Sequence, residues 1–141
     1  MLTPEQINQL VNGYLPNHLG IVITHVEPSE LRCHFAVTKS IMAPNGFLHA
    51  GSVVTLADSA AGLGCMAHLP EGANGFTTIE LKTNFMGTAR DGTVSCVSRP
   101  VHMGKSTQVW DSVVTHDETG KTIALFRCTQ MILYPKAGGS N

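Results

Sequence analysis

The chain has 141 residues, 43% of them apolar and 13% charged, with a formal net charge of −1. That length suits one domain able to remove roughly two-thirds of its unfolded surface from water without disulfides or metals. The charge balance offers no basic footprint for nucleic acid and no acidic tail, and so few charges suggest that self-association covers part of the exterior.

In Thr3-Pro4-Glu5-Gln6, a cap, a proline at the first helical position and a glutamine three after the cap predict a helix that stops near Gly13. Ile7, Leu10 and Val11 give it one apolar stripe. No positive charge followed by an apolar run marks a secretory signal, and the chain is read as cytoplasmic. Gly20 to Val26 and Glu30 to Val37 form a predicted hairpin about Pro28-Ser29, with Leu31, Cys33, Phe35 and Val37 alternating against Arg32, His34 and Ala36.

After a loop containing Pro44, Asn45 to Leu69 reads as one long buried helix with its lead-in, His49 standing where the helix should begin. Pro70-Glu71-Gly72 breaks it. Its glycines, hydroxyls and Asp58 make Ala50 to Leu69 a poor bilayer span, so no membrane is expected. Four strands follow, Phe76 to Met86, Gly92 to Pro100, Ser106 to His116 and Lys121 to Tyr134, separated by turn signals. The domain therefore covers residues 1–135, and the tail from Lys136 to Asn141 is expected to be disordered.

Short turns make neighbouring strands antiparallel, and a sheet with only one helix long enough to cover it must curl around that helix. The predicted class is α+β, a six-stranded antiparallel sheet wrapped around one long central helix. Cys33, Cys65, Cys96 and Cys128 lie far apart, with no C-x-x-C pair and no zinc spacing, and read as small buried hydrophobes. No metal site is expected.

Within the central helix, Asp58 stands out. Ser40 to Leu81 contains no lysine or arginine, so the acid has no salt-bridge partner there, and it lies too deep to be a cap. Gly51, Thr55, Asp58 and Gly62 share one stripe with room beside it. Asn45, Gly46, His49, Ala50 and Gly51 lead into the helix N-terminus, where free backbone N–H groups can hold an oxyanion. The plainer readings are that Asp58 only accepts hydrogen bonds from Thr55, Ser59 or a facing strand, and that His49 is only a cap.

Nine residues separate His49 from Asp58, which places them roughly 13 Å apart along the axis and about 180° apart around it. A catalytic group must come within about 3 Å of the reacting atom. If both ends are catalytic, two copies of the helix must lie side by side, so function predicts a dimer. No nucleophile elbow, H-E-x-x-H, Walker loop or dinucleotide fingerprint is present. Asp111 and His116 have the spacing D-x4-H, but on a strand they face opposite ways.

Asn45 to Asp58, N-G-F-L-H-A-G-S-V-V-T-L-A-D, together with the order of elements from the hairpin to Tyr134, resembles the hotdog-fold acyl-CoA thioesterases, in the branch that includes phenylacetyl-CoA and 4-hydroxybenzoyl-CoA thioesterases. That family's pattern is H-G-G, six residues and an acid, and His49 and Asp58 keep the separation. The resemblance implies hydrolysis of an acyl-CoA to a carboxylic acid and free coenzyme A, with no cofactor. By carry-over, the Ala50 N–H polarises the thioester carbonyl and His49 and Gly51 shape the turn. Asp58 of the neighbouring subunit acts as base or nucleophile, both remaining open, and Thr78 places a hydroxyl near the attacking water.

It further implies Arg90, Arg99, Gly104, Lys105 and Ser106 beside the nucleotide of coenzyme A, a homodimer as the minimal active unit and a homotetramer as the assembly. Phe47, Leu48, Val54, Met66 and Phe85 are expected at the acyl-pocket wall. Two positions depart from the pattern: Ala50 replaces the first glycine, and Ala43 stands where many relatives carry Asn or Gln, with Asn45 as the candidate substitute. The alternatives are a non-catalytic acyl-CoA-binding module and a hydratase or dehydratase, the latter disfavoured by the absence of an H-F-P-G signature.

Overall fold

The computed structural model describes residues 1–136; residues 137–141 of the expected tail lie outside the described residues. In chain order the elements are α1 (Pro4–Leu10), α2 (Leu15–His18), β1 (Val22–Glu27), β2 (Glu30–Ala36), a 3-10 turn (Lys39–Ile41), α3 (Ala50–Ala67), β3 (Gly75–Phe85), β4 (Thr93–Met103), β5 (Thr107–His116) and β6 (Thr122–Leu133). One six-stranded antiparallel sheet packs on α3, which touches β2, β3, β4, β5 and β6. This is the expected α+β class.

The first helix forms as its sequence dictates: Thr3 and Gln6 exchange side-chain-to-backbone hydrogen bonds of 2.9 and 3.2 Å, and Pro4 opens the helix. Ile7 and Val11 are buried, but Leu10 is exposed, so the stripe is narrower than the spacing suggested. α2 was not foreseen, because four residues show no period; Asn17 supports its start by accepting the Gly13 N–H at 3.0 Å.

Strand order is β1-β2-β4-β5-β6-β3. β3 and β4, consecutive in the chain, are not neighbours in the sheet. Their connection is committed to other partners: the Ala89 carbonyl accepts the Leu48 N–H and the Gly92 carbonyl accepts the Val37 N–H. β3 therefore closes the far edge against β6, while β4 pairs with β2 and β5. β4 also runs past Pro100, where sequence had ended it, because a register shift between Pro100 and His102 accommodates the missing N–H.

Packing fixes the rotation of α3. A Cβ on Gly64 would lie 2.7 Å from the Trp110 ring, so the glycine makes room for that fully buried indole. The Trp110 N–H donates to Gln108 Oε1 at 2.7 Å, and Gln108 Nε2 donates to the His68 carbonyl at 2.9 Å. Two turns before Gly64, the Ser112 hydroxyl donates to the Ala57 carbonyl at 2.9 Å, beside Asp58. All four cysteines are free and buried.

The two sheet edges are treated differently. On β1, the Asn8 side chain takes up both outward groups of Ile23, accepting from its N–H at 2.8 Å and donating to its carbonyl at 2.9 Å. β3 has no such cover among the described residues. Its eleven residues include exposed Ile79, Leu81 and Phe85, an open apolar edge of the kind that pairs with another strand.

Candidate active site

The N-terminus of α3 presents a single free donor. His49 is the N-cap, and its Nδ1 accepts the Gly51 N–H at 2.8 Å, so the ring does serve as a cap. The His49 carbonyl accepts the N–H groups of Ser52 and Val53. Among the described residues, only Ala50 is left in this first turn with no acceptor for its N–H, at the positive end of the helix. A Cβ on Gly51 would approach His49 Nδ1 to 3.0 Å, which explains the glycine. Ahead of the helix, Asn45 Oδ1 accepts the Phe47 N–H at 3.1 Å and Arg90 lies 4.7 Å over the Phe47 ring.

Asp58 sits in the middle of α3 with Oδ1 buried and without a hydrogen-bond partner among the described residues. Burial pushes its carboxyl above the usual range. Thr55 does not relieve it, because that hydroxyl donates back to the Gly51 carbonyl at 2.8 Å. The Cys128 thiol on β6 is pushed up to about 12, first by its own burial and then by the Asp58 charge, and Asp58 shares a helix stripe with Gly62, which faces Phe76 of β3. The other buried, unpartnered side-chain oxygen among the described residues is Thr83 Oγ1, in register with Phe126 on the α3-facing side of β3. Both orphaned oxygens thus lie along the junction of the helix and the open edge strand.

The remaining expected site residues are scattered. Thr78 donates its hydroxyl proton to Gln130 Oε1 at 2.6 Å, leaving only its lone pairs for a water. Leu48 is a core residue, 5% exposed. Phe47 and Phe85 are exposed, and Val54 and Met66 are half-buried on α3. Phe47 precedes the helix while Met66 is near its end, a separation of roughly 24 Å along the axis, so these residues form no single pocket within one chain.

The cations are separated as well. Arg90 stands by the start of α3, whereas Gly104, Lys105 and Ser106 form the β4–β5 turn at the opposite end. There Lys105 and Ser106 line a cavity of about 420 Å³ with Pro70, Glu71 and Tyr134, whose hydroxyl donates to the Lys105 carbonyl. Arg99 is on the outer sheet face, paired with Glu30 at 2.6 Å, and Glu30 also holds Arg32. Asp111 faces outward to Arg127 while His116 is buried, so the two lie on opposite faces as the strand period required. No cluster of three His, Cys, Asp or Glu side chains gathers among the described residues. Sequence reasoning missed Thr83, Gln130 and Phe76, the last signalled only by Gly62, where a Cβ would lie 3.2 Å from Phe76 Cζ.

Residues 45–123, which carry the helix, its lead-in and most of the sheet, match the thioesterase superfamily. The chain belongs to that family. This thioesterase is 35% identical to the 1,4-dihydroxy-2-naphthoyl-CoA hydrolase of Listeria monocytogenes, over 82% of this chain and 92% of that protein. It is 32% identical to the enzyme of the same name from Escherichia coli, over 94% and 96%. A crystal structure of a Haemophilus influenzae thioesterase superposes with a TM-score of 0.89 at 28% identity, covering 95% of this chain and 92% of that one. The protein is a thioester hydrolase with the hotdog fold.

Proposed function

We propose that this thioesterase hydrolyses acyl-CoA in a site built from two copies of the chain, with Asp58 of one copy as general base and the Ala50 N–H of the other as carbonyl donor. The observation that carries the reading is the separation of two incomplete groups on one helix: a buried carboxylate oxygen with no partner and a first-turn N–H with no acceptor. Eight residues apart, they sit roughly 12 Å from each other along the axis. Antiparallel juxtaposition of two helices brings each to the other.

In that arrangement the thioester oxygen accepts from the Ala50 N–H. Asp58 takes a proton from water as its oxygen attacks the carbonyl carbon, and the tetrahedral intermediate collapses by breaking the C–S bond. The proton then passes from Asp58 to the departing thiolate, leaving carboxylic acid and coenzyme A. A carboxylate raised by desolvation is a stronger base for taking this proton.

The open β3 edge supports the pairing. Glu80 and Lys82 both lie on the outer face, in register with Thr129 and Arg127. A two-fold centred on Leu81 sets each Glu80 opposite Lys82 of the second copy, giving Lys82 a counter-charge on that side, while across the ladder in its own chain it faces Arg127. The same two-fold turns the Arg90 end of one copy toward the Lys105 end of the other, so that coenzyme A phosphates bridge the copies. Exposed Val113, Leu125 and Met131 on the outer face suit pairing of dimers into a tetramer. Four free thiols fit the reducing cytoplasm. The test is thiol release from a panel of acyl-CoAs by the wild type and Asp58→Asn: rapid release abolished by the substitution is expected, and binding without turnover would overturn the reading.

A further inference from the structure

We propose that Phe76 is the end wall of the acyl slot and confines this thioesterase to short aliphatic or single-ring acyl groups. The inference rests on the reading of Asp58 as the base. Asp58 and Gly62 are one helical turn apart on the same stripe of α3, the stripe turned toward the open edge of the sheet. Gly62 has no side chain to fill the next turn, but the space is taken: Phe76, the second residue of β3, reaches across the gap, and its Cζ would lie 3.2 Å from a Cβ built on Gly62. Phe76 is half-buried against the core and stands on the face of β3 in register with buried Ile132. The ring is therefore fixed by packing.

These positions define a slot with one closed end. The helix stripe forms its floor and the α3-facing side of β3 forms its wall, where Leu81 and Phe85 are 42% and 47% exposed. Asp58 marks the position of the reacting carbon. From Asp58 to Gly62, which the ring covers, is one turn of helix, about 6 Å, roughly the length of a butyl chain or a single aromatic ring. A longer chain would have to displace a packed aromatic side chain. The Phe76 ring carries no hydrogen-bonding group, so shortening it changes the room available without removing the base or the carbonyl donor.

Thiol release should be measured from acyl-CoAs from acetyl to dodecanoyl, together with benzoyl-CoA, for the wild type, Phe76→Leu and Phe76→Ala, with thermal melts run alongside. The wild type is expected to favour the short and single-ring substrates. Opening the end wall should raise kcat/KM for dodecanoyl-CoA relative to butyryl-CoA by about tenfold or more in Phe76→Ala, the scale set by accommodating added methylenes in an apolar pocket. Phe76→Leu, which preserves an apolar contact, should fall between and carries the test if the alanine variant does not fold. A ratio unchanged in folded variants, or a wild type that already takes dodecanoyl-CoA best, overturns the end-wall assignment and leaves the thioesterase reading intact. A wild type that releases thiol from none of these substrates overturns both.

Discussion

Replacing Ala50 with proline removes the N–H assigned to the thioester carbonyl and disturbs little else. Proline is well tolerated at the first position of a helix, where its missing N–H has no intrahelical acceptor. The residue before a proline must be extended, and His49 already has φ −66° and ψ 135°. Ala50 is exposed, so the ring meets solvent, and no hydrogen bond among the described residues is lost. Loss of one such donor reduces kcat by about 10²–10³, or roughly 2.7–4 kcal/mol of transition-state stabilisation. Asp58→Asn removes the base and should reduce the rate by about 10²–10⁴.

Each variant alone should thus be nearly inactive, but a mixture should not be. When equal amounts are co-refolded, about half the dimers contain one copy of each. In every mixed dimer one site carries both lesions and the other carries neither, since it combines Asp58 of the Ala50→Pro copy with the Ala50 N–H of the Asp58→Asn copy. The mixture should recover about a quarter of the wild-type rate, roughly 25-fold or more above either parent. Thiol release measured before and after exchange, with differently tagged copies to count mixed dimers, reads this directly. A mixture that contains mixed dimers yet runs no faster than the mean of its parents would show that both groups act within one chain.

The buried carboxylate also makes a pH prediction. Because burial raises Asp58, the protonated form favours the fold; that stabilisation is complete below the unfolded value of about 3.9 and is lost as pH rises through the folded value. Asp58→Asn lacks the effect, so its Tm minus that of the wild type should widen with pH across this window, and a gap that narrows would contradict the desolvated setting. Gly64→Ala would drive a methyl group to within 2.7 Å of the Trp110 ring and should cost about 1–3 kcal/mol in a denaturant titration; an unchanged midpoint would mean that the indole moves aside freely. Lys82→Glu places like charges across the proposed β3 seam and should weaken self-association in sedimentation experiments, with Glu80→Lys in the same chain restoring it. Failure of the double variant to restore it would exclude a register centred on Leu81.

Much of this could be read along the chain because the signals are local. Thr3, Pro4 and Gln6 define a capping box by spacing alone, strand alternation follows from a two-residue period, and an acid in a stretch without lysine or arginine is visible in any register. The separation of His49 from Asp58 also needed only helix geometry, and it was enough to raise the expectation of a second chain if both ends are catalytic. The helix start was legible too, since His49 was expected where the helix begins and is the N-cap of α3; spacing alone could not show the turn that Asn45 and Phe47 form ahead of it.

Tertiary structure decided which groups remain free. Which partners His49 and Thr55 take within their own turn, leaving Ala50 unpaired, and the engagement of Thr78 by Gln130, 52 residues away, depend on three-dimensional geometry. So does the placement of β3 at the far edge, which follows from where the β3–β4 connection finds its hydrogen-bond partners. The sequence by itself determined the class of fold, the long helix and the acid within it, because periodicity and residue chemistry act over a few positions. Only the folded chain could determine which edge stays open, which donor stays free and which aromatic closes the turn beyond Asp58, because burial and hydrogen-bond satisfaction are properties of the whole packed molecule.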